Sequence, residues 1–217
     1  TVDPYGGSYV AREALDAALA SDDALAEAFA GRLANDDVPF DVVQFETQPL
    51  EAMIAAARLA DLAVVSAECG FAGDLAIEAG CPVLVLRQGQ RLDTPLKRVC
   101  IGWDGSERAT AALRGCVSLL RDCPQVDVLT VLTEAPHGFP PTDALRYLAR
   151  HGIKAELHEL AKSSSIEETL AAEVTRLGGQ LLVLGAFGHS RVREFLFGGV
   201  TRYFLSDEAA PPLLLAH

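Results

Sequence analysis

The sequence predicts an α/β protein made of two doubly wound parallel-sheet units, the first of them incomplete, and three observations carry that prediction. Short apolar runs alternate along the chain with amphipathic stretches at helical spacing, the order of parallel strand–helix–strand units. The clearest run, Leu181 to Leu184, is apolar at every position, as suits a strand buried on both faces, and it stops at Gly185. Finally, the pattern restarts. Leu50 to Leu86 and Ile166 to Ala216 share the order helix, strand, loop, helix, strand, and Pro82 and Pro212 introduce the last strand of each. The boundaries that follow are an incomplete unit over 1–90, a polar linker from Arg87 to Pro95 and a complete unit over 96–217.

Each element has its own signal. Val10 to Leu33 is helical in pattern, with Ala14, Leu15, Ala18 and Leu19 on one stripe and Leu25, Phe29 and Leu33 on another. Val38 to Thr47 reads as a strand centred on Phe40 to Phe45, and Pro49 opens a helix whose apolar face is Leu50, Met53, Ile54, Ala57 and Leu59. Asp61 to Ser66 is a strand, Asp74 to Ala79 a short helix, and Pro82 to Leu86 the strand that closes the first unit. In the second unit Arg98 to Trp103 is a strand, and Asp104-Gly105-Ser106 turns into a helix capped by Ser106, with Ala109, Leu113, Cys116, Val117 and Leu120 on one face. Val126 to Leu132 is the next strand, Glu134 to Pro141 a surface loop, Thr142 to His151 a helix, and Ile153 to Leu160 an edge-type strand. Ser165-x-x-Glu168 is a capping box ahead of Ile166, Leu170, Val174 and Leu177. Then come Leu181 to Gly185, a helix from the Gly198-Gly199 pair through Phe204, and the strand Pro212 to Ala216.

Composition narrows the function. Half of the 217 residues are hydrophobic, enough for a substantial core, and the net charge of −12 disfavours nucleic acid and anionic membrane as partners. No apolar run has the length of a membrane-spanning helix, and the first residues, Thr1 to Pro4, lack signal-peptide character. Five cysteines, an odd number with no C-x2-C spacing, fit a reducing compartment, so a cytoplasmic location is expected. Cys100 and Cys116 fall at apolar positions, where cysteine packs as a small hydrophobe, while Cys69 sits in a loop-like stretch. His137, His151, His158 and His217 are scattered and read as surface, and the sequence holds no metal-ligand motif, nucleophile elbow or Walker-type loop.

The chemistry concentrates at Gly185-Ala186-x-Gly188. Gly185 and Gly188 can take positive φ or let a ligand approach the main chain, and the helix opened by Gly198-Gly199, Val200 and Thr201 aims free N–H groups at the same place. That is an anion cradle, although glycines there also serve simply as turns. His189, Arg191 and Arg193 lie in the connector, where they either fork onto a phosphate or form an exposed charged segment. Asp104-Gly105 is a common turn dipeptide.

Gly185-x2-Gly188-x9-Gly198, followed by Val200-Thr201, resembles the nucleotide-binding signature of the universal stress protein family, G-x2-G-x9-G-[Ser/Thr]. The resemblance spans nearly the whole chain, but only its second half carries the specific motif. It implies a tandem protein whose first copy lacks its opening strand, helix and strand, and whose last strands pair antiparallel to make an intrachain pseudo-dimer, with homo-oligomers left open. It implies ATP or another adenine nucleotide as ligand, Asp104 against the adenine beside Gly105, and Val131 along the base and ribose. Trp103, where the family holds a smaller residue, narrows that pocket. Gly185, Ala186, Gly188, His189, Arg191, Gly198, Gly199, Val200 and Thr201 then surround the phosphates. One position departs: Gly199 stands where ATP-binding members carry Ser or Thr. Three functions follow in order: a regulatory nucleotide-binding protein, a nucleotide-free dimerisation or interaction module, and a nucleotide hydrolase, for which no dedicated catalytic constellation is visible.

Overall fold

A computed structural model describes residues 21–35, 39–133, 138–186 and 199–217. The chain divides into two compact units, Thr1–Glu46 and Thr47–His217. In the first, residues 21–33 form helix α1; the predicted stripe from Ala14 to Leu19 lies outside the described residues. The strand expected around Phe40 to Phe45 does not form: residues 39–45 have no regular structure. Phe40, Val42, Val43 and Phe45 are 38–65% exposed. An apolar, β-branched run becomes a strand only where a neighbour takes its main-chain groups, and no described ladder reaches these residues.

The second unit holds helices α2 (Pro49–Ala57), α3 (Ala72–Glu78), α4 (Glu107–Leu120), α5 (Pro141–Arg150), α6 (Ile166–Leu177) and α7 (Gly199–Ser206). Its strands are β1 (Ala63–Ser66), β2 (Val83–Leu86), β3 (Arg98–Gly102), β4 (Gln125–Leu132), β5 (Ala155–Ala161), β6 (Leu181–Gly185) and β7 (Leu213–Ala216). They form one seven-stranded sheet in the order β1-β2-β7-β6-β3-β4-β5. All neighbours are parallel except β2 and β7, which run antiparallel with Val83 opposite Leu215 and Val85 opposite Leu213. The two proline-led strands therefore meet as expected, each covering the edge that the other would leave open.

Helix limits follow local chemistry. Ser106 and Ser165 accept N–H bonds from Ala109 and Glu168, at 3.1 and 3.2 Å, and so cap α4 and α6. Glu168 does not complete the reciprocal half of a capping box, because its carboxylate takes the Ser164 hydroxyl instead. Gly178, at φ 70°, ends α6 in the left-handed conformation. Pro49 and Pro141 occupy first-turn positions, where no N–H is needed. Leu59 falls beyond α2 and is fully exposed, so it does not belong to that helix's apolar face.

Side chains alternate across the sheet and bury two clusters. Leu182, Leu184, Leu213, Leu215 and Cys100 pack with Leu75 of α3, Leu170 and Val174 of α6 and Phe204 of α7. On the other face Val99, Ile101, Leu181, Val183 and Leu214 pack with Leu113, Cys116 and Leu120 of α4 and Leu148 of α5. This is the layering of an α/β sheet with helices on both sides. Burial pushes the thiols of Cys100 and Cys116 up to about 12, as expected for cysteines that act as core hydrophobes. Among the described residues no helix is long and apolar enough to cross a membrane.

Candidate functional site

From β3 the chain moves outward through β4 to β5, then returns on the other side as β6 and β7. The β3–β6 boundary is the switch point where open α/β sheets leave a crevice at the strands' carboxyl ends. Gly102 and Gly185 end these two strands, the Asp104-Gly105 turn follows the first, and α7 begins at Gly199. Thr201, 3% exposed, lies with its hydroxyl 3.4 Å from the Gly185 carbonyl oxygen and ties the first turn of α7 to the end of β6.

The predicted residues take different roles at this edge. Asp104 accepts the Ser106 N–H through Oδ1 at 2.9 Å, so its carboxylate shapes its own turn. Gly105, at φ 77°, completes that turn, and its carbonyl accepts the Phe139 N–H at 2.9 Å. The Trp103 ring packs in the cluster of Ile101, Ala112 and Leu148, with Nε1 donating to the Phe139 carbonyl at 3.0 Å, whereas Val131 and Val200 border the cluster on the opposite face. Gly185 is not in the left-handed region. A side chain there would put Cβ 2.5 Å from the Ala109 nitrogen, so this glycine lets the first turn of α4 approach the sheet. Ala186 is fully buried and donates to the Ala216 carbonyl at 2.7 Å. Among the described residues the nearest atom to a Cβ added at Gly199 is Glu167 Oε1, at 3.7 Å. Gly188, His189, Arg191, Arg193 and Gly198 lie outside the described residues.

The carboxyl ends of β1 and β2 are occupied by the chain itself. After β1, Ala67–Cys69 forms a 3₁₀ turn capped by Ser66. The Glu68 carboxylate takes the Ser66 hydroxyl and, at 3.2 Å, the Gln88 N–H that follows β2. Hydrogen bonding from Ser66 and from main-chain N–H groups, with Arg87 nearby, holds Glu68 below the usual carboxylate range. Arg87, read from sequence as the start of a linker, instead donates through one Nη2 to the Phe204 and Leu205 carbonyls at 2.8 and 3.0 Å.

A second polar cluster lies beneath α6, and its histidine corrects the surface assignment of His158. Nε2 of His158 is 2.8 Å from Asp127 Oδ1, and Nδ1 is 3.4 Å from Glu173 Oε1, with the side chain only 20% exposed. Arg98 Nε lies 3.3 Å from Asp127 Oδ2, and Arg176 binds Glu173 at 2.6 and 2.7 Å, holding that carboxyl below its usual range. Neighbouring strands also bring ligand atoms of Asp127, Glu156 and His158 within 4.8 Å of one another. Spacing in the sequence does not show this group, because it is assembled from β4, β5 and α6. Arg98 already supplies a cation to Asp127, so the cluster is a charge network tying β3, β4 and β5 to α6. A shallow groove of about 520 Å³, lined by Cys81, Pro82, Arg114, Tyr147 and His217 among others, includes none of the predicted site residues.

No protein-family model matches the sequence, and no curated protein matches it significantly. Solved structures do match. A universal stress protein from Archaeoglobus fulgidus superposes with a TM-score of 0.72 at 14% identity, covering 93% of this chain and 78% of that one. A universal stress protein in complex with cAMP matches at TM-score 0.44 and 16% identity, over 57% of this chain and 99% of its own. An Arabidopsis thaliana universal stress protein family member with AMP bound matches at TM-score 0.38 and 15% identity, over 55% of this chain and 90% of its own. At such identities the first of these establishes the fold, which is that of universal stress proteins.

Proposed function

We propose that this chain, with its universal stress protein fold, is a regulatory binding protein that holds an adenine nucleotide, ATP in the first instance, at the carboxyl edge of β3 and β6. The observation that carries the proposal is the convergence of α7 on the switch point, fixed by Thr201 against Gly185. A helix start presents main-chain N–H groups and a positive dipole end, which suit phosphate. Val131 and Val200, partly buried on the α7 face, offer apolar surface to a base or ribose. In this proposal the two halves are tandem copies, 1–90 and 96–217, of which only the second binds.

One observation favours a nucleotide-free interaction module instead. Glu167 Oε1 stands near the start of α7, where phosphate would sit, and its negative charge opposes a second anion. Gly199 also withholds a hydroxyl whose bond to a charged acceptor is worth about 1.5 to 3 kcal/mol, roughly ten- to hundredfold in affinity. Titration calorimetry with ATP separates the two. Wild type is expected to bind at micromolar strength or weaker, Gly199→Ser and Glu167→Gln to bind more tightly, and Asp104→Ala more weakly. Absence of heat from all four proteins at millimolar ATP, ADP or AMP would leave the interaction module as the function.

A further inference from the structure

We infer that Arg87, contributed by the first half, is a positioning residue for the nucleotide site of the second. The inference rests on the nucleotide proposal above for what α7 holds, but not for how α7 is held. Because β2 and β7 run antiparallel, the carboxyl end of β2 lies beside the amino end of β7, where α7 has just finished. Arg87 is the first residue after β2, and it is half-buried. Its Nη2 donates to the Phe204 and Leu205 carbonyls, two of the last four carbonyls of α7, which have no helical N–H to accept. A guanidinium at that end also complements the negative pole of the helix dipole.

The same turn has a second tether. Gln90 Nε2 donates to the Ala210 carbonyl at 2.8 Å, and Gln90 Oε1 accepts the Arg87 N–H at 3.0 Å. Thus one short segment holds both the end of α7 and the turn leading into β7. Helix α7 has only eight residues, too few to be stable without such contacts. A helix of two turns passes a shift at one end to the other, so loosening the Phe204–Ser206 end is expected to displace the Gly199 end, where the proposed site lies. The first half, whose own edge is filled by Glu68, acts on the second half's site through this clamp.

The test combines amide hydrogen exchange on nucleotide-free protein with ATP calorimetry on wild type, Arg87→Ala, Arg87→Lys and Ile153→Val. The last removes a methyl from the opposite cluster and serves as a control for general destabilisation. Exchange over Phe204–Asp207 is expected to quicken about tenfold in Arg87→Ala, because two carbonyls lose a charged donor. ATP affinity is expected to fall roughly five- to tenfold, with partial recovery in Arg87→Lys, which keeps the charge but not the fork. Ile153→Val should bind ATP as wild type does. Unchanged exchange in Arg87→Ala overturns the inference whatever the site binds. Wild type that binds ATP with no loss in Arg87→Ala overturns the coupling alone. Wild type that binds no nucleotide overturns the site proposal and the coupling with it, and the exchange data then show separately whether α7 is held.

Discussion

The β1–β2 and β3–β6 carboxyl edges follow similar apolar strands yet end in opposite chemistry. At the first, a carboxylate from the chain itself, Glu68, takes the hydroxyl and N–H donors that an anion would want. At the second, α7 begins at Gly199, and among the described residues the atom nearest to a Cβ added there is Glu167 Oε1, at 3.7 Å. The residues that follow the strands therefore set the difference: a carboxylate of the chain covers the first edge, and a helix starts at the second. An edge that supplies its own anion needs none from solution.

The difference can be attacked first at the anchor of the second edge. Phe204, 1% exposed, fixes α7 in the core, so Phe204→Ala is expected to cost about 3 to 5 kcal/mol in denaturant unfolding and to remove ATP heat as well. A loss under about 1 kcal/mol would mean that α7 is not built into the core as described.

A smaller effect separates Gly185, a glycine of the signature, from Gly199, which stands at its Ser/Thr position. Gly185→Ala forces Cβ against the main chain of α4, an overpacking expected to cost about 1 to 3 kcal/mol. Gly199→Ala meets nothing closer than 3.7 Å among the described residues and should leave stability unchanged or slightly raised. Equal melting temperatures for these variants would break the distinction between a glycine required by packing and one that leaves space.

The smallest effects belong to the carboxylates, and their sign is set by pH. Hydrogen bonds from Ser66 to Glu68 and from Arg176 to Glu173 depress both groups, so the stability they contribute is present above the ordinary carboxylate range and is lost as pH falls through the lower folded values. Glu68→Gln and Glu173→Gln should each melt below wild type at neutral pH, with the gap closing in acid. A gap that widens as pH falls would contradict the assigned partners.

Much of the fold was legible because it is local. Apolar runs bounded by glycine and proline mark β2, β3, β6 and β7, and serines ahead of helical stripes mark the starts of α4 and α6. Residues that depend on a distant partner were not. Phe40 to Phe45 have strand composition but no neighbour to pair with, and Leu59 continues a periodicity that its helix does not. His158 looked solitary because Asp127 and Glu173 reach it from other elements. Arg87 looked like linker because its carbonyl partners lie more than a hundred residues away. At the site, the strand ends and the α7 start were visible in the glycine spacing. The packing reason for Gly185 and the opposing Glu167 were not, since both arise from α4 and α6 folding back onto the sheet.

The central claim, that one edge is a nucleotide site and the other is closed by the chain, is tested most directly by photolabelling with an azido-adenine nucleotide followed by peptide mapping. The expected result is saturable labelling, competed by ATP, in the second half only, in peptides that contain the Asp104–Ser106 turn, Val131 or the Gly199–Tyr203 turn. Labelling in the peptides around Cys69 and Gln88, or labelling that ATP does not compete, would contradict the account.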